Sequence, residues 1–259
     1  MAFADLRTRL RYELTGPANA PVVVFSNSLG ADLTMWDAQV PAIAQSFRVL
    51  RYDTRGHGKS SLPDGPHNLE TLAGDLLALL DFLAIPAISF CGLSLGAMTG
   101  LWLAEHAPQR IKKLVACSAA AKIGTAESWN TRMDLVRRAG MQAVVPGILE
   151  RWFTAAFRDR APQELRTTQV MMDAAPASGY IAGCEAVRDA DLREDVSAIA
   201  VPTLLVTGAR DPVTPPADAR FLVAKIPGAK YVELPGAHLF NVESATKFTA
   251  ELLRFLASA

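Results

Sequence analysis

Residues 87–100 read Ala87-Ile88-Ser89-Phe90-Cys91-Gly92-Leu93-Ser94-Leu95-Gly96-Ala97-Met98-Thr99-Gly100. The apolar run from Ala87 to Cys91 predicts a buried strand, and Ser94 to His106 predicts a helix that Pro108 closes. Between them stands the pattern G-x-S-x-G, from Gly92 to Gly96. A serine on so sharp a strand-to-helix turn takes a strained backbone, and side chains at the flanking positions would collide. Its hydroxyl then projects above the sheet edge at a helix N-terminus, which favours developing negative charge. The bland alternative is a tight turn with a serine N-cap. The strand before it and the helix after it favour a nucleophile.

Outward from this turn, apolar β-branched runs alternate with helical patterns. Strands are expected at Val22 to Phe25, Phe47 to Tyr52, Leu114 to Cys117, Thr203 to Thr207 and Tyr231 to Leu234. These runs barely alternate with polar residues, so both faces of each strand should be covered, as in a parallel sheet wrapped by helices. Leu6 to Leu14 does alternate and suits an antiparallel edge hairpin. Helices are expected at Asn68 to Leu83, ended by Pro86, and from about Ser244 to Leu256. The segment 121–190 breaks the rhythm, with four expected helices and no strand. It divides the chain into a core of residues 1–120 and 191–259 and a helical lid of residues 121–190. A lid between two parallel strands lies over the strand ends, where open α/β sheets bind ligands.

Composition narrows the class. The 259 residues carry 26 basic and 26 acidic side chains, with no basic run longer than a pair, which argues against a nucleic-acid or membrane-surface partner. No apolar run reaches the length of a membrane span, about 18 residues. The opening MAFADLRTRL lacks the apolar core of a signal peptide, so a cytoplasmic location is expected. Cys91, Cys117 and Cys184 show neither the even number of a disulfide framework nor zinc-cluster spacing.

A serine nucleophile needs a base, and the base needs an orienting carboxylate. His238 follows the last expected strand, and Asp211 follows the one before it. In a parallel sheet both fall on loops at the same edge as Ser94. His57, His67 and His106 have blander readings, as a turn residue, a loop residue and a helix end. None stands at metal-ligand spacing, and neither a metal nor a cofactor is expected. Gly58-Lys59-Ser60 is no phosphate loop, because Asp53 stands where that pattern needs glycine. An oxyanion hole requires two backbone N–H groups, and Leu95 and Leu29 are the candidates, the latter in Ser26-Asn27-Ser28-Leu29-Gly30.

Across essentially its whole length the chain resembles the α/β-hydrolase fold family, to which the stretch Arg51 to Ser60 and the order Ser94, Asp211, His238 conform. A narrower resemblance is to the 3-oxoadipate enol-lactonases of aromatic-compound degradation. It rests on Ser26 to Gly30, on Gly92 to Gly100, and on Lys122-Ile123-Gly124-Thr125 with Glu127-Ser128-Trp129-Asn130. That resemblance implies a small anionic lactone as substrate, opened by Ser94, with His238 as base. Other reactions on the same triad stay open: carboxylesterase, perhydrolase-type esterase, C–C bond hydrolase. A binder that retains the triad without catalysis is a third reading. The lactone's carboxylate needs a donor or a cation once it is desolvated. Trp129 and Arg132 share a helix face three residues apart and are the candidate substrate contacts. The alternative is that Trp129 anchors the lid and Arg132 is solvated.

Overall fold

The computed structural model describes residues 2–258. Eight strands form one sheet in the order β1-β2-β4-β3-β5-β6-β7-β8. They are β1 (Ala2–Asp5), β2 (Arg9–Thr15), β3 (Val22–Ser26), β4 (Arg48–Tyr52), β5 (Ile88–Leu93), β6 (Ile111–Cys117), β7 (Thr203–Gly208) and β8 (Lys230–Leu234). From β4 to β8 across the sheet every pairing is parallel, while β1 and β2 run antiparallel at one edge. The expected edge hairpin is therefore present, although its first arm is Ala2–Asp5 and Leu6 to Thr8 form the bend. Thr8 turns inward there because its hydroxyl donates to Asp75 at 2.7 Å. In the middle of the sheet the uninterrupted apolar runs do what their lack of alternation predicts, and every residue of β5 and β7 is buried, but β8 departs from the expectation: it is an edge strand in which only Leu234 is buried.

The helices are α1 (Val40–Ile43), α2 (Leu69–Phe82), α3 (Leu95–His106), α4 (Ala126–Ala139), α5 (Val145–Trp152), α6 (Ala155–Arg160), α7 (Pro162–Asp173), α8 (Ala177–Asp189), α9 (Pro216–Lys225), α10 (Phe240–Glu243) and α11 (Ala245–Ala257). Asn68 and Thr71 form a reciprocal capping box that starts α2, and Thr125 and Ser128 do the same for α4. Five α-helices, α4 to α8, lie between β6 and β7, one more than the sequence pattern suggests. The shortest of the five is the six-residue α6. Phe153 is extended, and the Thr154 hydroxyl accepts from Phe157 N–H to begin a new helix. Fewer than two turns is too short a window for apolar periodicity to register.

Two features position the site. The chain leaves β3 for β4 on one side and returns to β5 on the other, so the strand order reverses between β3 and β5. A crevice opens outside the carboxyl ends of two such strands. The inserted helices are seated on the sheet by a backbone contact: a Cβ on Gly179 of α8 would lie 1.7 Å from the carbonyl oxygen of Gly56, in the loop after β4. That loop is held by Asp53, which accepts from the N–H groups of Leu33 (2.9 Å) and Lys59 (2.8 Å). Arg55 in turn pairs with Asp75 through Nε and Nη2, at 2.6 and 2.8 Å. No described helix is long and apolar enough to cross a membrane.

Candidate active site

Ser94 sits at the switch point with φ 56° and ψ −110°, a conformation that side-chain-bearing residues rarely adopt. Its neighbours explain the glycines. A Cβ on Gly92 would fall 2.3 Å from Gly96 O, and one on Gly96 would fall 2.3 Å from Ser26 O. The turn is tied on both sides, by Ser94 N–H to Cys117 O (2.9 Å) and Gly96 N–H to Asn27 O (3.1 Å). Backbone hydrogen bonds thus hold a strained residue of the kind that clusters at functional sites. Ser94 occupies the N-cap position of α3 but its side chain makes no capping bond. The hydroxyl is therefore left for other work, which removes the N-cap explanation.

His238 and Asp211 come from the loops after β8 and β7. His238 Nδ1 lies 2.8 Å from Asp211 Oδ2. Thr214 Oγ1–H donates to the same oxygen at 2.8 Å, while the N–H groups of Val213 and Thr214 donate to Oδ1 at 2.8 and 3.1 Å. Burial alone would raise the Asp211 pKa, but His238 and the two Thr214 donors outweigh it and hold the carboxyl below its ordinary value. With an ionised carboxylate at Nδ1, the proton of the neutral ring sits there and Nε2 keeps its lone pair. The His238 carbonyl accepts from Ser118 Oγ at 2.8 Å, and Glu243 accepts from the neighbouring Ala237 N–H at 2.7 Å.

Ser94 and His238 open on one cavity with Ser28, Leu29, Trp129 and Arg132. The N–H groups of Leu29 and Leu95 have no backbone acceptor among the described residues. Leu29 follows β3 and Leu95 opens α3, so both lie at the switch point. Asn27 is spent on structure: its amide donates to Tyr52 O at 2.9 Å and accepts from Trp36 Nε1 at 3.0 Å.

A family model described as the alpha/beta hydrolase fold matches residues 21–185. The chain belongs to the α/β-hydrolase fold family. Among curated relatives of this hydrolase, 3-oxoadipate enol-lactonase 2 of Acinetobacter baylyi is 41% identical over 92% of the chain and 90% of the relative. An enol-lactonase from Burkholderia xenovorans superposes with a TM-score of 0.97 at 43% identity, covering 99% of this chain and 100% of that one. A thermophilic esterase from Thermogutta terrifontis superposes with a TM-score of 0.90 at 27% identity, covering 96% and 93%.

The hydrolase brings Ser94, Leu29, Trp129, Arg132 and His238 to one cavity and puts Asp211 directly behind His238. Trp129 both anchors and lines: its Nε1–H donates to Ile123 O at 2.6 Å, and Arg132 lies over its ring at 4.9 Å. His57, His67 and His106 do not line the cavity. His57 is buried with Nδ1 on Arg55 O at 2.9 Å, and His106 stacks on Trp102. Cys91 is buried in β5, 4.0 Å from Cys117 between sulfurs. Among the described residues, no group of three or more His, Cys, Asp or Glu could hold a metal ion. Sequence reasoning missed Arg151 and Tyr180, which also line the cavity, and Thr214, which braces Asp211. Thr214 stands three residues after Asp211, the offset of a local side-chain turn, which was the available signal.

Proposed function

We propose that the chain is a serine hydrolase that opens 3-oxoadipate enol-lactone to 3-oxoadipate, with Ser94, His238 and Asp211 as its triad. The observation that carries this reading is an acid-oriented imidazole and a strained serine facing a cavity that also holds Arg132. The enol-lactonases at 41% and 43% identity, aligned over nearly the whole chain, support the choice of substrate.

In this mechanism His238 Nε2 takes the Ser94 proton as Oγ attacks the lactone carbonyl. The Leu29 and Leu95 N–H groups receive the oxyanion; one such donor is worth roughly 3–4 kcal/mol in other hydrolases. Collapse breaks the ring C–O bond and expels an enolate, which takes the proton from His238 Nε2 to become a ketone and leaves the imidazole neutral again. Asp211 stabilises the imidazolium meanwhile. The leaving group stays tethered, so the acyl-enzyme carries a keto acid tail. Water deprotonated by His238 then cleaves the ester and returns the proton to Ser94. Arg132, held over Trp129, offsets the cost of desolvating the carboxylate.

The testing experiment is kcat/KM for the purified protein on the enol-lactone beside neutral lactones and aryl esters. A preference for the enol-lactone of 100-fold or more is expected. Equal or better turnover of neutral esters favours the carboxylesterase reading, toward which the structural likeness to the thermophilic esterase points. Loss of active-site labelling in Ser94→Ala weighs against a binder without catalysis.

A further inference from the structure

The cavity at Ser94 is small, about 30 Å³, which holds roughly one water. Immediately beside it lies a second cavity of about 180 Å³, walled by Ile123, Gly124, Ser128 and Pro212 on its far side. The two share Trp129, Arg132, Arg151 and Val213. Two arginines from different helices, α4 and α5, therefore stand in the partition between the nucleophile and a larger outer space. Both are half-buried. Arg132 is stacked on Trp129 and interacts with Tyr180 of the same wall, a phenol whose burial raises its pKa to about 12 and which is therefore neutral. Arg151 is opposed first by burial and then by the charge of Arg132, which Tyr180 and the neighbouring Glu150 offset only in part. Neither has a carboxylate oxygen within ion-pair distance among the described residues, whereas Arg11, Arg51 and Arg55 of the core each do. Two partly desolvated like charges side by side are unfavourable until an anion lies between them.

We propose that Arg132 and Arg151 form a two-cation site for a carboxylate at this partition. The substrate's anionic tail extends into the outer cavity while its acyl carbon lies against Ser94, and Arg151 is thereby a specificity-determining residue. The inference rests on the reading that Ser94 is acylated, and it assigns the end of the substrate that faces away from the nucleophile.

Mono-4-nitrophenyl adipate and 4-nitrophenyl hexanoate test this, since they differ by the terminal carboxylate and both report acylation through released nitrophenolate. The adipate acyl group matches the ring-opened lactone in length. Wild type should prefer the anionic ester. Arg151→Gln should lower its kcat/KM about 10- to 100-fold more than that of the neutral ester, mainly through KM. Arg151→Lys should recover part of the loss, because charge returns without the planar fork. Equal losses on both esters, or an undiminished anionic preference in Arg151→Gln, would overturn the proposal. Should the variants fail to fold, wild type still decides: adipate must competitively inhibit hydrolysis of the neutral ester and uncharged adipamide must not, and no difference between them overturns the site. A wild type that prefers the anionic ester yet leaves the enol-lactone untouched would instead overturn the substrate proposed above and leave the anion site standing.

Discussion

The Asp211 carboxylate and the His238 imidazole meet at 2.8 Å with both side chains essentially sealed from solvent, at 0% and 1% exposure. Asp211→Asn replaces an acceptor with a group whose amide end can face Nδ1, so the ring is driven to its other tautomer. We expect kcat to fall about 10⁴-fold with the fold intact, read by steady-state kinetics alongside circular dichroism. Stability follows from the depressed pKa. The carboxylate contributes stability that is present above its unfolded value of about 3.9 and lost as pH falls through the lower folded value. The acid limb of the Asp211→Asn melting curve should therefore be shallower than that of wild type.

Ser94 separates activity from stability. Ser94→Ala and Ser94→Gly should both lose several decades of turnover. They should differ in stability, because alanine keeps a Cβ at φ 56° and glycine does not. Glycine should be the more stable by about 1 kcal/mol, measured by denaturant titration. An alanine variant at least as stable as the glycine variant would show that the turn is unstrained.

Gly96→Ala would push a methyl group into the Ser26 carbonyl, which leads directly to Asn27 and Leu29. Backbone cannot step aside as a flexible side chain can. A loss of roughly 1–3 kcal/mol or more is expected, with a fall in kcat larger than any change in KM, because the displaced loop carries Leu29, the proposed oxyanion donor. Gly74 on α2 has open space around its Cβ position. Gly74→Ala is the control and should be neutral or slightly stabilising.

His57 gives a pH signature apart from catalysis. It is 1% exposed, and burial holds its pKa below the ordinary value. As pH falls through about 6.5 the unfolded chain takes up that proton first, so wild-type stability declines from there toward the lower folded pKa. His57→Asn can keep a donor for Arg55 O. Melting temperatures from pH 7.5 to 5.5 should fall less steeply in this variant than in wild type, and parallel slopes would sink the assignment.

What could be read from the chain beforehand depended on whether the chemistry was local. The Gly92 to Gly96 turn was legible because its steric demands fall within five residues. Asp211 and His238 were legible because each follows an apolar strand run, and a parallel sheet puts such loops at one edge. Arg151 was not. It lies on the eight-residue α5, among apolar positions that make any amphipathic helix look alike, and its approach to Arg132 depends on how α4 and α5 are placed on the sheet. The six-residue α6 is too short for apolar periodicity to mark, and the size of the inner cavity is a property of packing that no motif encodes.

The contact between Gly56 and Gly179 has a consequence for variation in this chain. Each glycine occupies the space a methyl group on the other would need, so no single substitution at either position can be absorbed by a conservative choice of side chain. Gly56 also has φ 71°, which bars ordinary residues independently of its neighbour. A library randomised at both positions and selected for turnover should return glycine twice, with no pair of small residues as a substitute. Recombining the inserted helices with another sheet would succeed only where the recipient offers bare backbone at the matching loop.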